Sequence, residues 1–102
     1  MGYEPETLEY ETSLRVCNSR SVALTFCLEP WGEQYSMAPE AIFDVVARGP
    51  KGDAPEVEFA DDHIVLYGWP GSTVSVFHKG VELGAGCSER TPVPSTPFRK
   101  ST

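Results

Sequence analysis

Acid–base chemistry in this chain would fall to Glu29, Glu33, Asp44, Glu56 and Glu58, with the histidine His63. A carboxylate pair, or a carboxylate with an imidazole, is what a small hydrolase or lyase needs to move protons. With 15 Asp and Glu against 8 Lys and Arg, many such pairs arise by chance. A solvated surface is the default for each of them. Nucleophilic catalysis needs a nucleophile, a base and an orienting group. Neither histidine lies near Cys17, Cys27 or Cys87 in sequence, and there is no Gly-x-Ser-x-Gly elbow. Asp61, Asp62 and His63 are consecutive, so on a strand at most two of them converge on a metal. Cys-x-x-Cys is absent. We assign no catalytic residue, metal ligand or cofactor from the sequence.

The aromatic residues offer a different chemistry. In Leu28-Glu29-Pro30-Trp31-Gly32-Glu33-Gln34-Tyr35, Trp31 and Tyr35 flank Glu33. Pro30 cannot donate to a ladder and Gly32 permits a reversal, so this stretch is a corner. Gly68-Trp69-Pro70-Gly71-Ser72 is a second aromatic corner, with Pro70-Gly71 suited to a type II turn. One reading has each tryptophan plugging the end of a small core. The other has Trp31, Tyr35 and Trp69 outside as an aromatic patch rimmed by acids, with Glu33 and His63 beside it. Strand alternation places both tryptophans outward, and apolar patches of that size mark contact sites. The partner would be a basic or proline-containing peptide, or another protein.

The bulk numbers narrow the classes. One hundred and two residues make one domain. A net charge of -7 argues against nucleic acid and against an anionic membrane surface. No apolar run approaches the length of a membrane span, and the acidic start Met1-Gly2-Tyr3-Glu4-Pro5-Glu6 does not resemble a secretory signal. A cytoplasmic protein with three reduced thiols is expected. Oligomeric state is left open.

The elements that must position these residues read as strands. Leu14 and Val16 alternate with Arg15 and Cys17; Val22, Leu24, Phe26 and Leu28 alternate with Ala23, Thr25 and Cys27. The two runs fit a hairpin with Val16 opposite Val22 and Leu14 opposite Leu24. That register separates Cys17 from Cys27 by roughly 20 Å at strand rise, too far for a disulfide. Glu33 to Met37 suits a short strand. Residues 39 to 48 carry both helix punctuation, with Pro39 at the start and Gly49-Pro50 after the end, and β-branched content. Glu56 to Phe59 alternates. His63 to Tyr67 is apolar on both faces and reads as a central strand. Thr73 to His78 alternates, and Lys79-Gly80 turns it back into Val81-Glu82-Leu83. Beyond Gly84 the Pro-, Ser- and Thr-rich residues have little to bury. Deleting residues 88 to 102 is expected to change the thermal midpoint little.

Two resemblances follow from these residues. Leu28-Glu29-Pro30-Trp31-Gly32-Glu33, Pro39 and Tyr67-Gly68-Trp69-Pro70-Gly71 resemble a family of small uncharacterised bacterial proteins, over about residues 12 to 84. That likeness implies no activity. Val16-Cys17-Asn18-Ser19-Arg20, Gly32-Glu33, Tyr35, Pro39, His63-Ile64-Val65-Leu66-Tyr67 and Glu82-Leu83 are similar, in order, to the von Hippel–Lindau β-domain. That resemblance implies a seven-stranded β-sandwich and tips residues 42 to 47 towards strand. Tyr35 and His63 match a Tyr and a His of its hydroxyproline-peptide site. Its two tryptophans would fall at Cys27 and Val65, and its serine at Phe59, so the ligand is not carried over.

The expected architecture is all-β: a single antiparallel sandwich of about seven strands over residues 10–84. A flexible acidic start, 1–9, and a disordered tail, 85–102, would flank it. The alternative is α+β with one helix at 39–48. The expected function is a non-catalytic protein- or peptide-binding module using Trp31, Glu33, Tyr35, His63 and Trp69. The alternative is a small hydrolase or lyase using carboxylates with His63.

Overall fold

The structure, a computed structural model, describes residues 9–84 and 92–93. Among these residues there is no helix. Eight strands follow in order: β1 (Glu9–Cys17), β2 (Leu24–Glu29), β3 (Glu33–Met37), β4 (Ile42–Pro50), β5 (Glu56–Phe59), β6 (His63–Tyr67), β7 (Thr73–His78) and β8 (Val81–Glu82). They form two four-stranded sheets packed together, ordered β1-β4-β7-β8 and β3-β2-β6-β5. The all-β sandwich is therefore what the chain forms, with eight strands rather than about seven and with one parallel pair, β2–β6, where only antiparallel pairing was expected. The two-residue β8 is the start of the return run Val81-Glu82-Leu83 that Lys79-Gly80 announced. Lys79 and Gly80 take φ of 54 and 81 before it, the backbone a tight hairpin requires.

Period-two burial runs through β4, β6 and most of β7. Along β4, Phe43, Val45 and Ala47 are buried, while Ile42 and Arg48 face out and Asp44 and Val46 are half-covered. No helix forms at 39–48. The segment runs as a strand between β1 and β7, where its β-branched side chains suit a pleated surface. Ala38 to Glu40 is a turn, closed by Ala41 N–H donating to Ala38 O at 3.0 Å. The core joins Val16, Phe43, Val45, Ala47, Val74 and Val76 to Leu24, Phe26, Leu28, Met37, Ile64 and Leu66 of the other sheet. Phe26 and Phe43 meet across the sheets edge to face, their centroids 5.4 Å apart.

The expected hairpin between the first two strands does not form. β1 pairs with β4, Val16 opposite Phe43. β2 pairs with β3 in antiparallel fashion and with β6 in parallel. The chain crosses between sheets at residues 18–23, and Val22 is left 55% exposed. Alternation identified the dry face of each run. Facing one another across the sandwich satisfies that face as well as lying side by side would. Cys17 and Cys27 are both free thiols, as expected, but they lie in different sheets.

The first sheet begins at Glu9, one residue before the expected boundary. Of the start expected to be flexible, 1–9, residues 1–8 lie outside the described residues, as do 85–91 and 94–102 of the expected tail, 85–102. Cys87 lies there too. Pro92 and Val93 are described, and Val93 departs from the disordered-tail expectation: it is 2% exposed. Its N–H donates to Ser72 O at 2.9 Å, and its carbonyl accepts from Gly71 N–H at 2.8 Å. Its side chain reaches Gly68, where an added Cβ would lie 3.2 Å from it. Val93→Ala is expected to cost about 1–2 kcal/mol, or several degrees of thermal midpoint in a domain of this size. Deleting 88–102 should lower the midpoint at least as far. Thermal melts of both variants test this, and unchanged midpoints would show the contact to be energetically idle.

Candidate functional site

The two aromatic corners meet at one end of the sandwich. Gly68 N–H donates to Glu29 O at 2.9 Å, so the second corner hangs from the first. At the first corner the Glu29–Pro30 peptide is cis, and Trp31 is half-buried against the core. A Cβ on Gly68 would lie 2.9 Å from Trp31 Cη2 and 2.8 Å from Ser72 Oγ, so only glycine fits beneath that ring. At the second, Ser72 N–H donates to Trp69 O at 2.8 Å, and Gly71 has φ 84. This is the type II geometry that Pro70-Gly71 announced. The turn swings Trp69 inward. It is 3% exposed, and its indole N–H donates to Pro50 O at 2.9 Å. Strand alternation carried past Gly68 placed Trp69 outside. The turn overrides it, and the expected open patch of two tryptophans does not exist.

The remaining expected site residues are dispersed. Tyr35 pairs with Phe26 and Glu33 with Leu28, on the core-facing side of edge strand β3. There the Tyr35 hydroxyl donates to the Glu33 carboxylate. His63 begins β6 opposite Thr25, on the outer face and at the other end of the sheet from the tryptophans. Tyr35 and His63 thus occupy opposite faces. His63 Nδ1 lies 2.9 Å from Oδ1 of its neighbour Asp62, which is exposed. That hydrogen bond holds the Asp62 carboxyl below its ordinary value. Among the described residues no group of three or more His, Cys, Asp and Glu is placed to hold a metal ion.

A different constellation lies on the outer face of the β3-β2-β6-β5 sheet. Cys27 sits beside Gln34 and Val65, and Glu29 beside Tyr67. Tyr67 is opposite Glu56, and Val65 opposite Glu58. The Tyr67 hydroxyl donates to Glu58 Oε1 at 3.1 Å. Tyr67 is therefore ringed by three glutamates, and the strands of this sheet contain no Lys or Arg. Beside it is a notch of about 100 Å³ lined by Asp53, Ala54, Glu56, Tyr67, Gly68, Trp69 and Pro70. The thiol of Cys27 is raised from its ordinary value, first by burial and then by the Glu29 carboxylate. A raised thiol is a poor nucleophile, so Cys27 serves as packing. Glu29, Glu56, Glu58 and Tyr67 were readable as outward residues of their strands. That they share one neighbourhood depends on the parallel β2–β6 pairing, which has no local signal.

The other sheet's outer face is mixed in charge and internally paired. Arg15 bonds Asp44 at 2.9 Å and Arg48 bonds Glu11 at 3.0 Å. A groove of about 270 Å³ there is lined by Glu11, Val46, Arg48, Thr73, Ser75 and Phe77. No helix among the described residues is long and apolar enough to cross a membrane. No family model, curated protein or solved structure matches the chain.

Proposed function

We propose that this domain is a non-catalytic interaction module that binds a basic polypeptide segment on the outer face of the β3-β2-β6-β5 sheet. One observation carries the reading: the notch beside Tyr67, with Asp53 and Glu56 on its wall and Glu29 and Glu58 flanking the ring. Its volume suits the tip of one Lys or Arg side chain. Carboxylates would pair with the cation, and the Tyr67 face would add a cation–π contact. Free Cys17 and Cys27 fit a reducing compartment, and we place the module in the cytoplasm. The hydrolase or lyase reading has less support. The carboxylate bonded to His63 is the adjacent, exposed Asp62, and the notch and groove described above are lined by other residues.

Fluorescence anisotropy with a labelled decalysine peptide tests the proposal. Binding should weaken with added salt. The Glu29→Gln/Glu56→Gln variant should bind about tenfold more weakly, at up to ~1 kcal/mol for each surface charge. Glu11→Gln, on the other sheet, should change little. No binding at low salt, or equal loss with Glu11→Gln, would refute the site.

A further inference from the structure

Strand β1 is an edge of its sheet among the described residues, and at nine residues, Glu9–Cys17, it is among the longest strands. Asn18 N–H donates to Ala41 O at 3.0 Å across the β1–β4 ladder. Antiparallel ladders bond alternate residues of each strand. The even-numbered residues of β1 therefore bond β4. Glu9, Glu11, Ser13, Arg15 and Cys17 aim their N–H and C=O groups at the open edge. A long, regular edge of this kind is a template for another strand.

The charges on the edge specify the occupant. Glu11 and Arg15 stand symmetrically about Ser13, the midpoint of β1, and their side chains share the outer face. We infer that β1 pairs in antiparallel register with β1 of a second copy of this chain, about a two-fold axis at Ser13. In that register all nine residues are matched, and Glu11 of each copy faces Arg15 of the other. Each new pair extends an existing one, because Asp44 lies opposite Arg15 and Arg48 opposite Glu11 within the chain. The row across the joined sheet would read Asp44, Arg15, Glu11 and Arg48, the last two from the second copy, alternating in sign throughout. Cross-strand pairs of opposite charge stabilise a sheet and like pairs destabilise it. Shifting the axis to Glu11 or Arg15 would set like charges opposite. The surface is self-complementary, as a two-fold interface requires. It lies on the opposite sheet from the notch and does not rest on the basic-segment reading.

Sedimentation equilibrium of the full chain over a concentration series tests the inference. The wild type should approach twice the chain mass, and salt should weaken the association. Ser13→Pro removes an N–H from the open edge and none from the β4 ladder. It should give a monomer with a far-ultraviolet spectrum unchanged. E11R sets arginine against Arg15, and R15E sets glutamate against Glu11, so each alone should be monomeric. An equimolar mixture of E11R and R15E restores both opposite-sign pairs and should return to twice the mass. This arm stands even where Ser13→Pro does not fold. A monomeric wild type at all concentrations, or single-charge variants that still dimerise, or a mixture that stays monomeric, would overturn the inference.

Discussion

Trp69→Ala is expected to cost about 3–5 kcal/mol of folding stability, the range for deleting a buried aromatic side chain. The indole is 3% exposed. A Cβ on Gly49 would lie 3.1 Å from its Cζ2, so the ring rests directly on that backbone. Tyr10 covers another side, with ring centroids 6.4 Å apart. Truncation would open a cavity at the end of the sandwich and leave Pro50 O without its N–H donor. Trp31→Ala should cost less, about 1–3 kcal/mol, because that ring is only half-buried over Gly68. Urea denaturation of the two variants checks the order. Trp31→Ala more damaging than Trp69→Ala would mean that Trp31, not Trp69, is the ring that closes this end of the core.

The second large effect belongs to Asn18, in the crossing between the two sheets. It is fully buried. Its amide nitrogen donates to the carbonyls of Val22 at 2.9 Å, Met37 at 3.0 Å and Ala38 at 3.2 Å. Its side-chain oxygen accepts from Arg20 N–H at 2.9 Å. One side chain thus ties the crossing between sheets to the end of β3. Asn18→Ala leaves these groups without their partner and should cost about 2–4 kcal/mol, since each unsatisfied buried polar group costs about 1–3 kcal/mol. Asn18→Asp should be worse at neutral pH, because a carboxylate would face three carbonyl oxygens. Burial and those carbonyls would raise the folded-state pKa of that carboxyl above its unfolded value of about 4. Its stability would then be highest at acid pH and fall as pH rises through about 4 and beyond. Denaturant melts at pH 3.5 and pH 7 check the sign. An Asn18→Asp variant equally stable at both would contradict the buried environment.

Both effects sit where local rules gave the wrong answer or none. Trp69 was placed outside by carrying the Val65 and Tyr67 alternation past Gly68. Alternation is a property of extended backbone, and it ends where Gly71 turns with positive φ. Asn18 carries no local mark, because its three carbonyl partners come from the crossing, the end of β3 and the turn that follows. Val93 was hidden by composition: among Pro, Ser and Thr, one apolar side chain does not announce that a slot between Gly68 and Ser72 awaits it.

What the sequence determined by itself is the local layer. Period-two alternation marked β2, β5 and β7, and in β2 and β7 the buried side as well. The apolar run His63–Tyr67 marked β6 as central, and it lies between β2 and β5. Pro70-Gly71 and Lys79-Gly80 marked their turns. These readings hold because each depends on backbone preference and on one wet and one dry face within a few residues. Tertiary structure alone decided which strands are neighbours. Leu14 and Val16 are covered as well by an opposing sheet as by an adjacent β2, so burial did not choose between the two pairings. That choice places Glu29 beside Tyr67 through the parallel β2–β6 pairing, and leaves Glu11 and Arg15 on a strand that is an edge among the described residues. Partner selection is the sum of many long-range contacts, and none of them is written in the residues next door.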